Sequence, residues 1–71
     1  MESVYKFIEL VGTSTESWEK AAEAAVTKAA ESLRDLRIAE VVEMDMQLEN
    51  NKIKAYRIKV RLSFKVEQGV G

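Results

Sequence analysis

Four side chains with oxygen ligands recur at every second position of one stretch: Glu43, Asp45, Gln47 and Glu49. Successive side chains of a β-strand point to opposite faces, so a strand would carry all four on one face. Carboxylate and amide oxygens are the ligands that Ca²⁺ and Mg²⁺ prefer. The row is therefore a candidate cation site, with Glu43, Asp45 and Glu49 as its candidate ligands.

A basic stretch near the end of the chain offers a different use for these acids. Arg57, Lys59 and Arg61 also recur at every second position, so they would share one face of a neighbouring strand. Pairing of acidic with basic side chains across the two strands would neutralise the row. We favour this interpretation, since no EF-hand loop accompanies the acids, and the cation site stays open as the alternative.

The chain contains neither cysteine nor histidine. Zinc sites of the Cys/His type and catalysis by a thiol or a histidine base therefore have no candidates, and we predict that the protein is not an enzyme. The net charge of −1, from 11 basic and 12 acidic residues, argues against a nucleic-acid partner. No apolar run approaches the ~18 residues of a membrane span, which predicts a cytoplasmic protein without a membrane partner.

The first half of the chain predicts a strand followed by a helix. The strand is expected over Ser3–Val11, and the glycine after it is predicted to end it. Thr13 with Glu16 fits a capping box, and Ser14 is an equally good cap, so the helix is expected over Thr15–Leu33. Its predicted buried stripe has the helical period and is mostly alanine: Trp18, Ala21, Ala22, Ala25, Val26, Ala29, Ala30 and Leu33.

The second half predicts two long strands. Arg37–Glu49 carries apolar residues at its even positions, from Ile38 to Leu48, and we expect the other elements to cover this strand. Ile53–Val66 alternates more strictly, with apolar side chains on one face and mostly basic ones on the other. The two methionines of the first strand, Met44 and Met46, are interpreted as core packing rather than as a ligand lining.

Matching the two patterns gives the register of the predicted hairpin. A two-residue turn at Asn50-Asn51 would place Tyr56 beside Asp45 and mix the two faces. We therefore expect a three-residue loop or a bulge at Asn50-Asn51-Lys52. The predicted partners bring like faces together: Met46 with Tyr56, Met44 with Ile58, Val42 with Val60, Asp45 with Arg57 and Glu43 with Lys59.

These elements predict an α+β protein of β-α-β-β order, with a three-stranded antiparallel sheet partly wrapped around one helix. A single domain is expected over 1–71, with 68–71 as a frayed tail. Chains this short rarely obtain more than ~3–5 kcal/mol from one core, and without cysteine no disulfide can add to it. We therefore expect copies of the chain to pack together.

Several short segments resemble the dodecin family, in the family's order and spacing. They are Val4-Tyr5-Lys6, Val11-Gly12-Thr13-Ser14 with Glu16-Ser17, Ala39-Glu40-Val41-Val42, and Tyr56 with Val60 and Phe64. The resemblance covers residues 3–67. It implies a β-α-β-β protomer, twelve of which form a hollow shell. It also implies flavin storage rather than catalysis, with two ligands stacked between tryptophans at each two-fold axis.

Three positions of the implied flavin site differ in this chain. Ile38 occupies the place of the stacking tryptophan, and Arg57 the place of a glutamine at the flavin edge. Asp45 stands where FMN-binding bacterial members carry a phosphate-contacting arginine, and it would repel a phosphate. Losing two stacking walls would weaken flavin binding by about 1–3 kcal/mol. The only tryptophan, Trp18, lies on the helix and is interpreted as a core or interface anchor.

We expect a dodecin-like homododecamer that binds or stores a small aromatic ligand, a flavin such as riboflavin or FMN, with weakened affinity. The alternative is a structural shell that binds a divalent cation such as calcium, or an unknown ligand, without a flavin function. The residues expected to bind the cofactor are Ile38, Arg57, Glu40, Glu43, Asp45 and Gln47.

Overall fold

The computed structural model describes residues 2–66. The predicted β-α-β-β fold is confirmed, with one helix on a three-stranded antiparallel sheet. The predicted frayed tail at 68–71 lies outside the described residues. No helix within 2–66 is long and apolar enough to cross a membrane. The elements are β1 (Tyr5–Ser14), α1 (Trp18–Ala30), β2 (Leu36–Glu49) and β3 (Lys52–Lys65).

The sheet has the strand order β1-β3-β2, so β3 is its central strand. The expectation that all other elements cover β2 is therefore wrong. The helix packs on β1 and β3, and it hardly touches β2. Apart from Leu36, which is half-buried, every residue of β2 is exposed in the single chain.

The helix is shorter than predicted, and its cap is a different serine. Ser17 is the N-cap, and its Oγ accepts the backbone N–H of Lys20 at 3.0 Å. Ser14 Oγ accepts the N–H of Glu16 at 2.9 Å, which forms a turn before the helix. The predicted capping box is wrong because Thr13 is still part of β1, where it pairs with Arg57.

Gly12 lies within β1, where it pairs with Ile58, and the strand continues to Ser14. A Cβ at this position would overlap the backbone oxygen of Ala21 and would lie 3.2 Å from the Ala25 Cβ. The glycine therefore allows the helix to approach the strand closely, rather than ending the strand as predicted.

The core lies between the helix and the centre of the sheet. Ala21, Ala25 and Ala29 form the buried stripe of α1, as the sequence pattern predicts, and they meet the apolar face of β3. Ala30, also predicted in the stripe, is exposed. Val60 and Leu62 are each only 1% exposed. Small helical side chains thus bring the helix axis close to larger side chains on the strand. The other core members and packing partners are Ile58, Ile8, Leu10, Trp18, Ala22, Val26, Leu33 and Leu36.

The β2–β3 hairpin closes through a two-residue turn. Glu49 pairs with Lys52, and Asn50 and Asn51 have φ values of 54° and 62°, as a two-residue hairpin turn of type I′ requires. The prediction of a three-residue loop or a bulge at Asn50-Asn51-Lys52 is therefore wrong. The irregularity that restores the register lies next to the turn, where Leu48 pairs with Ile53 but Gln47 pairs with Ala55. Four predicted pairs are found: Met46–Tyr56, Met44–Ile58, Asp45–Arg57 and Glu43–Lys59.

A second irregularity lies in the middle of β2. Val41 pairs with Val60 and Glu43 with Lys59, so Val42 is an extra residue and its predicted pairing with Val60 is wrong. A one-residue bulge reverses which face the following side chains occupy. As a result Ile38, predicted on the face of Met44, lies on the opposite face of the sheet together with the acidic row.

Candidate functional site

The face of the sheet that carries no helix is called the open face below. On β3 it presents the basic row and Ser63, and on β1 it presents the residues paired with them, among them Phe7 and Glu9. On β2 it presents Ile38 and Glu40 before the bulge and the acidic row after it. Within residues 2–66, this face holds both the candidate cation ligands and the predicted flavin wall.

An apolar depression, called the slot below, lies across one end of the open face. Phe7 and Ile38 both pair with Ser63, one from each side. Two strand spacings of ~4.8 Å place the backbones of Phe7 and Ile38 roughly 10 Å apart, with only a small side chain between them. The slot has a volume of about 430 Å³, and its lining comprises Tyr5, Phe7, Arg37, Ile38, Glu40, Arg61 and Ser63.

The walls of the slot are large side chains that the single chain leaves uncovered. Phe7 is 63% exposed and Ile38 is 66% exposed. Tyr5 stands next to Phe7 on the same face of β1, so two aromatic rings line one wall. The slot can therefore receive a flat apolar ring between an aromatic wall and an aliphatic one.

A charged cluster closes one end of the slot. Arg61 donates from Nε and Nη2 to Glu9 Oε2, at 3.2 and 3.0 Å. Its Nη1 lies 3.7 Å from Glu40 Oε1 on the other neighbouring strand. Two carboxylates from opposite sides thus hold the guanidinium in place beside the apolar walls.

A smaller pocket of about 170 Å³ lies further along the open face, lined by Val11, Glu43, Asp45, Arg57 and Lys59. Arg57 donates two hydrogen bonds to the Asp45 carboxylate, at 2.8 and 2.9 Å. These hydrogen bonds lower the pKa of the Asp45 carboxyl below its ordinary value, and the same contact raises the pKa of Arg57. Lys59 Nζ lies 3.6 Å from Glu43 Oε1.

The six residues predicted to bind a cofactor share the open face, but they do not meet in one chain. Ile38 and Glu40 line the slot, whereas Glu43, Asp45 and Arg57 line the smaller pocket. The pairing partners of Ile38 and Asp45 are six residues apart on β3, which is roughly 20 Å along the strand. Gln47 pairs with Ala55, still further from the slot. A single site made of all six would need a neighbouring chain.

The three candidate cation ligands each face a basic side chain instead of one another. Asp45 and Glu43 pair as described above, and Glu49 Oε2 lies 3.7 Å from Lys54 Nζ near the hairpin turn. Among residues 2–66 no three acidic side chains converge as a metal site would require. These contacts match the ion pairing that the sequence pattern favours over a cation site.

Trp18 connects the helix to the acidic strand. Its Nε1 donates to the backbone oxygen of Asp45 at 3.1 Å. Its ring meets that of Tyr56 edge-on, with centroids 5.1 Å apart and an interplanar angle of 70°. The residue thus anchors β2 on the helix side, while the Asp45 side chain is held by Arg57 on the open face.

Sequence reasoning did not include Tyr5, Phe7, Arg61 or Ser63 in the site. The available signal was the apolar side of the first predicted strand, for which the helix offered no cover. The bulge in β2 then decides which residues face that side, and a strict two-residue period cannot predict a bulge.

Comparison with known proteins shows the family to which the chain belongs. The dodecin family profile matches residues 4–67. The chain belongs to the dodecin family. It is 48% identical over 64 residues to calcium dodecin of Mycobacterium tuberculosis, covering 90% of each chain. It is 38% identical over 68 residues to dodecin of Thermus thermophilus, covering 96% of this chain and 99% of that protein.

Two solved structures confirm the fold. A crystal structure from Thermus thermophilus, 37% identical, superposes with a TM-score of 0.89 and covers 94% of this chain and 98% of that one. The crystal structure of the Mycobacterium tuberculosis calcium dodecin, described as calcium-chelating with a novel calcium-binding site, is 45% identical. It superposes with a TM-score of 0.82 and covers 97% of this chain and 99% of that one. The expected family resemblance is therefore confirmed over almost the whole chain.

Proposed function

We propose that this dodecin is a homododecameric binding and storage protein, not an enzyme, whose slot holds a small planar aromatic ligand of the flavin class. The observation that carries the proposal is the slot itself. It is an apolar opening of about 430 Å³ with an aromatic wall and an aliphatic wall, which suits a flat ring. Its binding is weaker than that of family members with a stacking tryptophan, because Ile38 offers no ring to stack on.

Self-association is supported by the apolar surface that the single chain leaves open. Soluble monomers rarely expose contiguous apolar patches beyond a few hundred Å². Here apolar side chains are exposed on both faces of the sheet outside the helix contact. Burial between copies removes this surface from water and adds to a small core. Outside the slot, the exposed apolar residues are Val4, Val11, Val41, Val42, Met44, Met46, Leu48 and Ile53.

The charges near the slot favour a ligand without a phosphate. Glu40 lines the slot, and both arginines of its lining have acidic partners. The Arg61 guanidinium is held by two carboxylates, and Arg37 Nη2 lies 3.9 Å from Asp35 Oδ1. Asp45 likewise occupies Arg57 through two hydrogen bonds. Riboflavin or a bare ring therefore suits the open face better than FMN does.

The assembly is tested by its mass in solution. Twelve chains of 8.0 kDa give 96 kDa (12 × 8.0). Light scattering coupled to gel filtration at micromolar concentration is expected to give this value. A monomer or dimer peak would reject the dodecamer.

Ligand binding is tested by riboflavin fluorescence. Titration of the protein is expected to quench riboflavin weakly, and Ile38→Trp is expected to raise the affinity about tenfold by adding a stacking surface. The control is Thr27→Trp, which adds a tryptophan on the exposed side of α1 and is expected to change nothing. If Ile38→Trp binds riboflavin no more tightly than the parent does, the placement of the ligand in the slot is rejected.

A second candidate function is calcium binding, which the relative named calcium dodecin favours at 48% identity. The candidate ligands remain Glu43, Asp45 and Glu49. Each forms an ion pair within one chain, so an ion would need to displace these partners or recruit oxygens from another copy.

Isothermal titration with CaCl₂ separates the two functions. Calcium binding that Asp45→Asn and Glu43→Gln abolish, together with no riboflavin quenching by the parent, would favour the calcium function. Quenching of riboflavin fluorescence by the parent, together with no measurable heat of calcium binding, would favour ligand binding in the slot.

A further inference from the structure

Ser63 is the only buried polar residue among those described, at 5% exposure, and it forms the floor of the slot. It lies on the central strand between Phe7 and Ile38, with which it pairs on either side. An apolar side chain of ordinary size at this position would fill the gap between the two walls. The serine thus keeps the slot open.

The Ser63 hydroxyl faces the slot without a partner. No side-chain hydrogen bond within residues 2–66 involves it. No side-chain polar atom in this range is both sealed from solvent and unpaired, so the hydroxyl remains reachable from the slot. Covering a hydroxyl with an apolar ligand leaves it without water or a partner, which is unfavourable.

We infer that Ser63 determines which planar ligands the slot accepts, by forming a hydrogen bond to a polar atom on the ring edge that faces the sheet. The inference rests on the proposed function. A hydroxyl both donates and accepts, so a ring carbonyl, a ring nitrogen or a ring N–H satisfies it. The ligand class is a planar heteroaromatic compound inserted edge-first between Phe7 and Ile38, and a hydrocarbon of the same shape is rejected because it leaves the hydroxyl unpaired.

Two fluorescent probes of similar shape test this selection. Lumichrome is a planar ring system with carbonyl and N–H groups on its edge, and pyrene is a planar hydrocarbon. Ser63→Ala is expected to weaken lumichrome binding about five- to tenfold, the effect of one lost hydrogen bond. The same substitution is expected to tighten pyrene binding about fivefold, because no hydroxyl is then left unpaired beneath the hydrocarbon. Ser32→Ala, an exposed serine after the helix, is the matched control and is expected to leave both affinities unchanged.

Two substitutions of equal volume separate the effect of the hydroxyl from the effect of side-chain size. Ser63→Thr and Ser63→Val add the same bulk to the floor and are both expected to weaken lumichrome binding relative to the parent. The threonine variant is expected to bind lumichrome about fivefold more tightly than the valine variant, whereas pyrene is expected to prefer the valine variant, which leaves no hydroxyl unpaired. Melting temperatures of all variants check that the fold is retained.

The outcomes distinguish this inference from the proposed function. Lumichrome binding that is unchanged by Ser63→Ala, or equal in the threonine and valine variants, overturns the role of Ser63 and leaves the slot intact. A parent protein that binds neither probe overturns the slot and the role of Ser63 together. Lumichrome binding that is weaker in Ser63→Ala than in the parent, and weaker in Ser63→Val than in Ser63→Thr, supports the inference.

Discussion

The two faces of the three-stranded sheet differ in how their side chains pack. On the helix face, Ala21, Ala25 and Ala29 approach so closely that Val60 and Leu62 are almost completely buried. On the open face, large apolar side chains stand apart with a serine between them, and the charged residues beside them pair across strands. On the helix face, small alanines pack against large side chains and leave no gap. On the open face, large side chains stand on either side of a small serine and leave a gap.

The contrast indicates on which face of the sheet a single chain can bury its own apolar side chains. The helix face satisfies its packing locally, and its substitutions should act on stability. Under the proposed function, a ligand or another copy covers the open face, so substitutions in the slot should act on binding. Stability measurements need equal protein concentrations, because self-association makes apparent stability depend on concentration.

The largest effect is expected from Gly12→Ala. The new Cβ would overlap the Ala21 carbonyl oxygen and would lie 2.9 Å from its carbonyl carbon, so helix and strand would have to separate. We expect a loss of about 3 kcal/mol or more, or insoluble protein. Thermal unfolding measures it, with Thr13→Ala as the neighbouring control. A stable Gly12→Ala variant would mean that the helix does not pack against β1 this closely.

A large difference between the faces is expected for Leu62→Ala and Phe7→Ala. Leu62 is 1% exposed, and its truncation should cost about 2–5 kcal/mol. Phe7 lines the open slot, and its truncation should cost less than about 1 kcal/mol while weakening riboflavin binding. Urea unfolding with and without riboflavin measures both. If Phe7→Ala destabilises the free protein as much as Leu62→Ala does, then a neighbouring chain fills the slot.

A moderate effect is expected for Trp18→Phe. The substitution removes the hydrogen bond to the Asp45 carbonyl and retains a ring beside Tyr56. Loss of about 0.5–1.5 kcal/mol is expected in chemical unfolding, followed by circular dichroism because Trp18 is the only tryptophan. Glu19→Gln, on the exposed side of α1, is the control. An unchanged stability would show that the helix does not hold β2 through this contact.

The smallest effect is expected for Asp45→Asn, and it depends on pH. Arg57 lowers the pKa of Asp45 in the folded protein, so the ion pair stabilises the fold above the unfolded carboxyl pKa of about 3.9. That stabilisation is lost as the pH falls through the lower folded pKa. The melting temperatures of parent and variant should differ slightly at pH 7 and converge below about pH 4. A constant difference across this range would contradict the ion pair.

Much of the fold followed from local patterns. The alanine stripe predicted the buried side of α1, and matching of charged and apolar faces predicted four of the observed pairs across the hairpin. The candidate site was harder to predict. Gly12 was interpreted as a strand breaker, although its role is to let Ala21 approach, which depends on an element that follows later in the chain.

The sequence by itself determined the elements, the exclusion of cysteine and histidine chemistry, and the pairing of acidic with basic side chains. Those properties depend on residue type and short-range spacing. The tertiary structure alone decided that Ile38 faces Phe7 across Ser63, because the bulge at Val42 reverses the face of β2 and the central position of β3 brings β1 and β2 to either side of it. A period of two residues carries no information on where a strand gains an extra residue, so the slot is a property of the assembled sheet.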